Sequence, residues 1–288
     1  MKPITTVTVE GVRQAVADAR QRRLSVGLVP TMGALHAGHT SLIRAARAET
    51  GFVVVSIFVN PTQFGPKEDL TRYPRPLADD LRLCSAEGVD LVFNPEPATI
   101  YPAGFRTSVE VTGFQDVMCG ASRLGHFRGV ATVVLKLFNI VAPDVAYFGM
   151  KDAQQVRVIE QMVADLNVPV QIRRCPIVRE ADGLALSSRN VYLDPEQRRQ
   201  ATALSRALAE VRQRIEAGER DAVGLEQLLK ERITATPGAR LDYATIVDYD
   251  TLERVNKLHG TVLAALAVYV GTTRLIDNVL VTLAEGGR

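Results

Sequence analysis

The chain of 288 residues is 47% apolar and 23% charged, enough to bury a core without disulfides or a structural metal. Thirty-four Lys and Arg against thirty-two Asp and Glu leave a net charge of +2, which excludes a broad polyanion-binding face and makes any anion site a local one. Cys84, Cys119 and Cys175 stand far apart in neither CxxC nor Cys/His spacing, the amino terminus has no signal-peptide pattern, and no apolar run reaches ~20 residues. The expected setting is a reducing cytoplasm, with no membrane and no nucleic-acid partner.

In chain order, apolar residues at Val12, Ala15, Val16 and Ala19 predict a helix over Glu10–Arg23, followed by a buried strand over Leu24–Val29. The alternation continues with a helix over Gly38–Glu49, a strand over Phe52–Val59, a helix over Pro76–Glu87 and a strand over Val89–Phe93. A short strand at Ser108–Val111, a helix at Arg128–Val141, a strand at Asp144–Phe148, a helix at Asp152–Leu166 and a strand at Val168–Ile172 follow. Apolar strands separated by amphipathic helices predict an α/β fold with a doubly wound parallel sheet, Rossmann-like, over residues 1–186. Beyond Ser188 the pattern changes. Asp194-Pro195-Glu196 is an N-cap, a proline at the first helical position and an acidic first turn, so a long helix starts there and runs to about Ala217. A helix near Ala222–Thr234 and β-rich segments at Leu241–Val247, Thr261–Val270 and Thr273–Val281 complete a smaller C-terminal α+β domain, residues 187–288. The polar stretch Arg179–Asn190 between the two reads as a hinge or an active-site loop.

The segment Pro30–His39 lies between the first long strand and its helix, where open α/β sheets bind ligands. It holds His36 and His39, half the histidines of the chain, with Gly33 and Gly38 allowing close backbone approach, an arrangement suited to phosphate oxygens. Gln63 comes after the next strand. An amide both donates and accepts, which suits a hydroxy acid. Gly149-Met150-Lys151-Asp152 repeats the strand-to-helix geometry ahead of Gln154 and Gln155: Lys151 could neutralise charge growing at phosphorus, and Asp152 could cap a helix or hold a ribose hydroxyl. Asp79 and Asp80 could meet a magnesium-bound pyrophosphate, but adjacent acids in an early helical turn are expected to be a solvated face. The basic residues Arg123, His126 and Arg128 precede a helix and suit an anion contact or a dimer surface. No GxGxxG, P-loop lysine or Ser/His/Asp ordering is present.

His36-Ala-Gly-His39 resembles the HxGH motif of the superfamily containing nucleotidylyltransferases and class I aminoacyl-tRNA synthetases, and Leu186-Ser187-Ser188-Arg189-Asn190 its mobile phosphate-binding loop. The likeness is closer than that. PTMGALHAGH, FVNPTQFGPKEDLTRYPR, CGASRLGHFRGVATVVLKLFN, FGMKDAQQ and READGLALSSRNVYL, in this order over residues 30–193, resemble the pantothenate synthetase (pantoate–beta-alanine ligase) family. The resemblance implies ATP- and magnesium-dependent condensation of (R)-pantoate with beta-alanine through a pantoyl-adenylate, releasing AMP and pyrophosphate, in a homodimer. It implies an ATP site of Met32, Gly33, Ala34, Leu35, His36, Ala37, Gly38, His39, Gly149, Met150, Lys151, Asp152, Val178, Leu186, Ser187, Ser188 and Arg189. In that site His39 is the proton donor, His36 its partner and Lys151 the phosphate contact. Gln63 would bind pantoate and beta-alanine, and Gln155 pantoate; the magnesium ligands stay unassigned. Leu124 stands where many relatives have proline. A reactive anhydride must be kept from water, so the C-terminal domain is expected to act as a lid. A nucleotidylyltransferase that stops after AMP transfer, which would need no amine-binding site, and a nucleotide sensor without catalysis, which would not need Lys151, Gln63 and Gln155 together, are the competing readings.

Overall fold

The structure, a computed structural model, describes residues 2–66 and 68–283, so the last five residues of the expected C-terminal domain lie outside it. Six strands form one parallel sheet: β1 (Ile4–Thr6), β2 (Val26–Thr31), β3 (Phe52–Ile57), β4 (Leu91–Phe93), β5 (Val145–Gly149) and β6 (Gln171–Cys175), in the spatial order β1-β4-β3-β2-β5-β6. Helices α1 (Val9–Gln21), α2 (Ala37–Glu49), α3 (Leu77–Ala86), the short α4 (Pro97–Ile100) and α5 (Met118–Ser122), α6 (His126–Val141) and α7 (Ala153–Asp165) connect them. Val12, Val130, Leu137 and Val156 from α1, α6 and α7 pack on one face; Leu42, Ile43 and Cys84 from α2 and α3 pack on the other. With both faces covered, every residue of β3 is buried, which explains why its sequence is apolar at every position but Ser56.

The strand order reverses between β2 and β5. A crevice opens at such a switch beyond the carboxyl ends of the strands, and here it is flanked by the two segments that leave β2 and β5.

The remainder forms α8 (Pro195–Glu216), α9 (Ala222–Thr234) and an antiparallel sheet of β7 (Ala239–Asp248), β8 (Thr261–Val270) and β9 (Thr273–Thr282). Along β8, Val262, Ala264, Leu266 and Val268 face the α8–α9 core, while Leu263 and Ala265 join the core of the large sheet. The small sheet is therefore sandwiched, which makes the whole Val262–Val270 segment apolar.

Two sequence expectations are corrected and one strand went unread. Ser108–Val111 is irregular: the Val109 amide donates to Thr132 Oγ1 at 2.9 Å rather than to a ladder. The strand expected at Val168–Ile172 begins at Gln171, because Pro169 cannot donate, and it runs on through Arg173 and Arg174, charges an edge strand tolerates. Strand β1, three residues and largely exposed, has no periodicity to reveal it.

Candidate active site

The sequence Thr31-Met32-Gly33-Ala34-Leu35-His36 leaves β2 through two left-handed residues, Gly33 (φ 80°) and Ala34 (φ 51°), the second a conformation that costs a residue with a Cβ. Asp80 of α3 holds it there. It is 2% exposed, and its oxygens accept from the Ala34 amide at 3.0 Å and the Leu35 amide at 2.7 Å. The expectation of a solvated Asp79–Asp80 face is thus wrong for Asp80, which shares the buried stripe of α3 with Cys84; Asp79 does point outward, toward Arg82. Burial raises the Asp80 pKa against the lowering by the two amides.

His36 and His39 form the N-terminal cap of α2. The Gly38 amide donates to His36 Nδ1 at 3.1 Å, and the His36 amide donates to His39 Nδ1 at 3.2 Å, a reciprocal capping box made of imidazoles. Their three-residue spacing is the spacing of such a box. An Nδ1 that accepts leaves the proton on Nε2, so each neutral ring is a donor through Nε2. Burial, then the neighbouring His36 and Lys151, push the His39 pKa down to about 3; burial, then Lys151, lower that of His36. The two ring centroids are 4.1 Å apart.

Past β5, the 3₁₀ turn Met150–Asp152 presents Lys151, whose Nζ lies 3.1 Å from Asp152 Oδ2. Burial alone would raise the Asp152 pKa, but Lys151 and Arg189 hold it below the usual value. Past β3, Asn60 is 1% exposed and organises the 3₁₀ turn Pro61–Gln63: its Nδ2 donates to Gln63 Oε1 at 3.0 Å and to the Gly129 carbonyl at 3.2 Å. Gln63 Nε2 in turn contacts Met32 Sδ at 3.3 Å. Arg123 and His126, given low weight from sequence, clamp the backbone of Gln63. Arg123 donates to His126 Nε2 at 3.0 Å, so His126 Nδ1 carries the proton and donates to the Gln63 carbonyl at 2.8 Å. Burial and then Arg123 push the His126 pKa down to about 4.

Met32, His36, Gly38, His39, Gln63, Gly149, Lys151, Asp152, Gln155, Val178, Leu186 and Arg189 all line one cleft at the β2/β5 switch. Ser187 and Ser188 lie beside it; Ser187 Oγ accepts from the Arg189 amide at 3.2 Å, and Ser188 meets Tyr73 at 3.3 Å. Arg189 is held by Asp69 at 3.0 and 2.9 Å across the cleft mouth. Ala37 is the first residue of α2, and Met150 is buried in the core. Gln154, next to Gln155, instead serves structure: it accepts from the Cys119 amide and donates to the Phe114 and Val117 carbonyls. The stretch Arg179–Asn190 is tied down rather than loose, with a bridge between Arg179 and Ala185 and an ion pair from Arg179 to the buried Asp277 at 2.6 Å.

Sequence reasoning missed Asn60 and the β9 residues Asp277 and Asn278, and it placed Asp80 on a solvated face. Only Asp80 carried a signal, its spacing of four from Cys84.

The profile of the Pantoate-beta-alanine ligase family matches residues 4–280. The pantothenate synthetase of Moorella thermoacetica is 60% identical over 278 residues, covering 96% of this chain and 98% of that protein. That of Acetivibrio thermocellus is 54% identical over 274 residues, covering 95% and 98%. Among solved structures, the pantothenate synthetase of Thermus thermophilus matches with a TM-score of 0.91 at 46% identity, over 96% of this chain and 98% of that one. The pantoate-beta-alanine ligase of Francisella tularensis, complexed with beta-gamma ATP and beta-alanine, matches with a TM-score of 0.77 at 36% identity, over 96% and 97%.

Proposed function

The chain belongs to the pantoate-beta-alanine ligase family, and from that premise we propose a role for each group around the β2/β5 cleft. The enzyme condenses (R)-pantoate with beta-alanine in an ATP-dependent reaction that forms pantothenate. A carboxylate is inert to amines at neutral pH, so pantoate is first joined to AMP. Its carboxylate attacks the α-phosphorus, pyrophosphate leaves, and the amine of beta-alanine then displaces AMP from the mixed anhydride.

Met32–His39 and Gly149–Asp152 embrace the nucleotide from the two sides of the cleft, with Val178 on the adenine side. His36 and His39 donate Nε2–H bonds to phosphate oxygens as neutral rings, a reading supported by their Nδ1 bonds and lowered pKa values. Within Met32–His39 the amides of Ala34 and Leu35 are spent on Asp80 and those of His36 and Gly38 on the imidazole cap, so the loop meets phosphate chiefly through its histidines. Lys151 stabilises charge as pyrophosphate departs. Gln63 and Gln155 bind pantoate, Gln63 also facing beta-alanine, and Leu186, Ser187, Ser188 and Arg189 close over the triphosphate once it displaces Asp69. The protein's contribution is positioning and charge stabilisation, since an in-line displacement needs little covalent help.

Magnesium is the cation proposed for the triphosphate. Among the described residues no group of three or more His, Cys, Asp or Glu forms a cage, and a cation held by phosphate oxygens and water needs none. When bound it neutralises pyrophosphate charge. We further assign the protein to the cytoplasm as a homodimer built through residues 1–186, with residues 187–288 as the lid domain; among the described residues no helix is long and apolar enough to cross a membrane.

The observation that carries this reading is the convergence of His36, His39, Lys151, Gln63 and Gln155 on one cleft. Pyrophosphate release tests it. With ATP, magnesium and pantoate, one equivalent per site is expected as a burst, converted by beta-alanine into sustained turnover with AMP. No release from protein that still binds ATP would overturn it.

A further inference from the structure

Strand β9 belongs to the C-terminal sheet, yet its centre carries two consecutive buried polar residues, Asp277 at 3% and Asn278 at 4% exposure. Burying polar groups is costly unless they are bonded, and both bond outside their own sheet. Asp277 takes Arg179 through both oxygens, at 2.6 and 2.9 Å, and accepts from the Asn278 amide at 2.8 Å. Asn278 Nδ2 donates to the carbonyl of Met150 at 2.9 Å and to that of Lys151 at 3.0 Å. Chemistry dictates its orientation: the opposite flip would set an oxygen against two carbonyl oxygens.

These two carbonyls belong to the peptide planes on either side of the Lys151 Cα. One amide group therefore fixes both planes, and with them the direction in which the Lys151 side chain leaves the backbone. Local structure does not do this. The turn Met150–Asp152 is a single 3₁₀ turn, and neither Gly149 before it nor Asp152 at the start of α7 supplies a side-chain cap. Asp152 itself sits outside the helical region at φ −103°, ψ 52°.

We propose that Asn278 is a positioning residue for Lys151, reaching from the C-terminal sheet to set the lysine against the departing pyrophosphate. The inference rests on the role assigned to Lys151 above. A group aligned to within a fraction of an ångström is what such a reaction requires, and a displacement of about 1 Å costs on the order of 100-fold in rate.

The test is the pyrophosphate burst of the full-length protein with ATP, magnesium and pantoate, whose amplitude counts competent sites and whose rate constant reports alignment. Asn278→Ala and the near-isosteric Asn278→Leu, which keeps volume without donors, are expected to slow the burst roughly 10- to 100-fold at wild-type amplitude. The double variant Lys151→Ala/Asn278→Ala should be no slower than Lys151→Ala alone, because Asn278 acts through the lysine. A lower amplitude with an unchanged rate constant in both Asn278 variants would reduce Asn278 to a structural role and overturn the proposal. Additive losses in the double variant would also overturn it. If Lys151→Ala itself kept the wild-type rate constant, the reading of Lys151 would fall first, a result distinguishable from failure of Asn278.

Discussion

An imidazole whose Nδ1 accepts a backbone hydrogen bond must surrender that bond to become an imidazolium, and His39 is such a ring. Its cap bond and its burial keep it neutral in the folded protein, with a pKa of about 3 against an ordinary 6.5. The unfolded chain therefore binds the extra proton first. The stabilisation from His39 is complete above pH 6.5 and declines as the pH falls from 6.5 toward 3. Between pH 6.5 and 5 the loss amounts to about 2 kcal/mol for this residue. His39→Asn, which retains an acceptor for the His36 amide but does not titrate, is expected to flatten that slope. Urea unfolding of both proteins at pH 7, 6 and 5 checks this, and parallel curves would count against a neutral His39. The same physics favours a phosphate donor over a general acid at position 39, since a ring that stays neutral at physiological pH has no proton to give beyond Nε2–H.

At the scale of elements, the approach of α6 to the Pro61–Gln63 turn decides where Gln63, the glutamine proposed to bind pantoate, sits. The contact is close enough that a Cβ at residue 129 would stand 2.5 Å from the Thr62 carbonyl oxygen and 2.8 Å from the Gln63 amide nitrogen. Gly129→Ala must therefore push the turn away, at an overpacking cost of about 1–3 kcal/mol. The KM for pantoate should rise about tenfold or more while the ATP Kd, read by titration calorimetry, changes less than about twofold; an unaltered pantoate KM would refute the link between α6 and Gln63. Helices and buried strands such as α2, β3 and α8 were legible in sequence because burial imposes a period or a mostly apolar run. The histidines, Gln63 and Lys151 were legible because they come directly after strands, where the crevice must open. Asn60, Asp80 and Asn278 were not, since each acts through a tertiary hydrogen bond to a backbone group distant in sequence, and a polar residue destined for such a bond resembles one that faces water.

For the whole molecule, the two sheets do not meet at a loose tether. Asp277 and Asn278 tie β9 to Arg179 and to the Met150–Asp152 turn, and Leu263 and Ala265 sink into the core of the large sheet. By contrast, the opposite lip of the cleft is closed by contacts between exposed or half-buried segments. Arg189 pairs with Asp69, Ser188 meets Tyr73, and Tyr192 donates to the Arg72 carbonyl at 3.2 Å. The apolar burial and buried polar bonds on one side exceed in strength the partly solvated pairs on the other. Within the proposed lid domain, closure should accordingly be confined to the lip, residues 187–193, which rearrange together with 68–73 when triphosphate competes with Asp69 for Arg189. Hydrogen exchange with and without ATP and pantoate resolves this. Amides of residues 187–193 should gain protection on ligand binding and those of 68–73, released from Arg189, should lose it, while those of 150–153 and 276–279 are already protected in the free protein and change little. Ligand-dependent protection spread evenly over β7, β8 and β9 would instead mean that the C-terminal sheet moves as one body, and that the bonds of Asp277 and Asn278 break and re-form in each catalytic cycle.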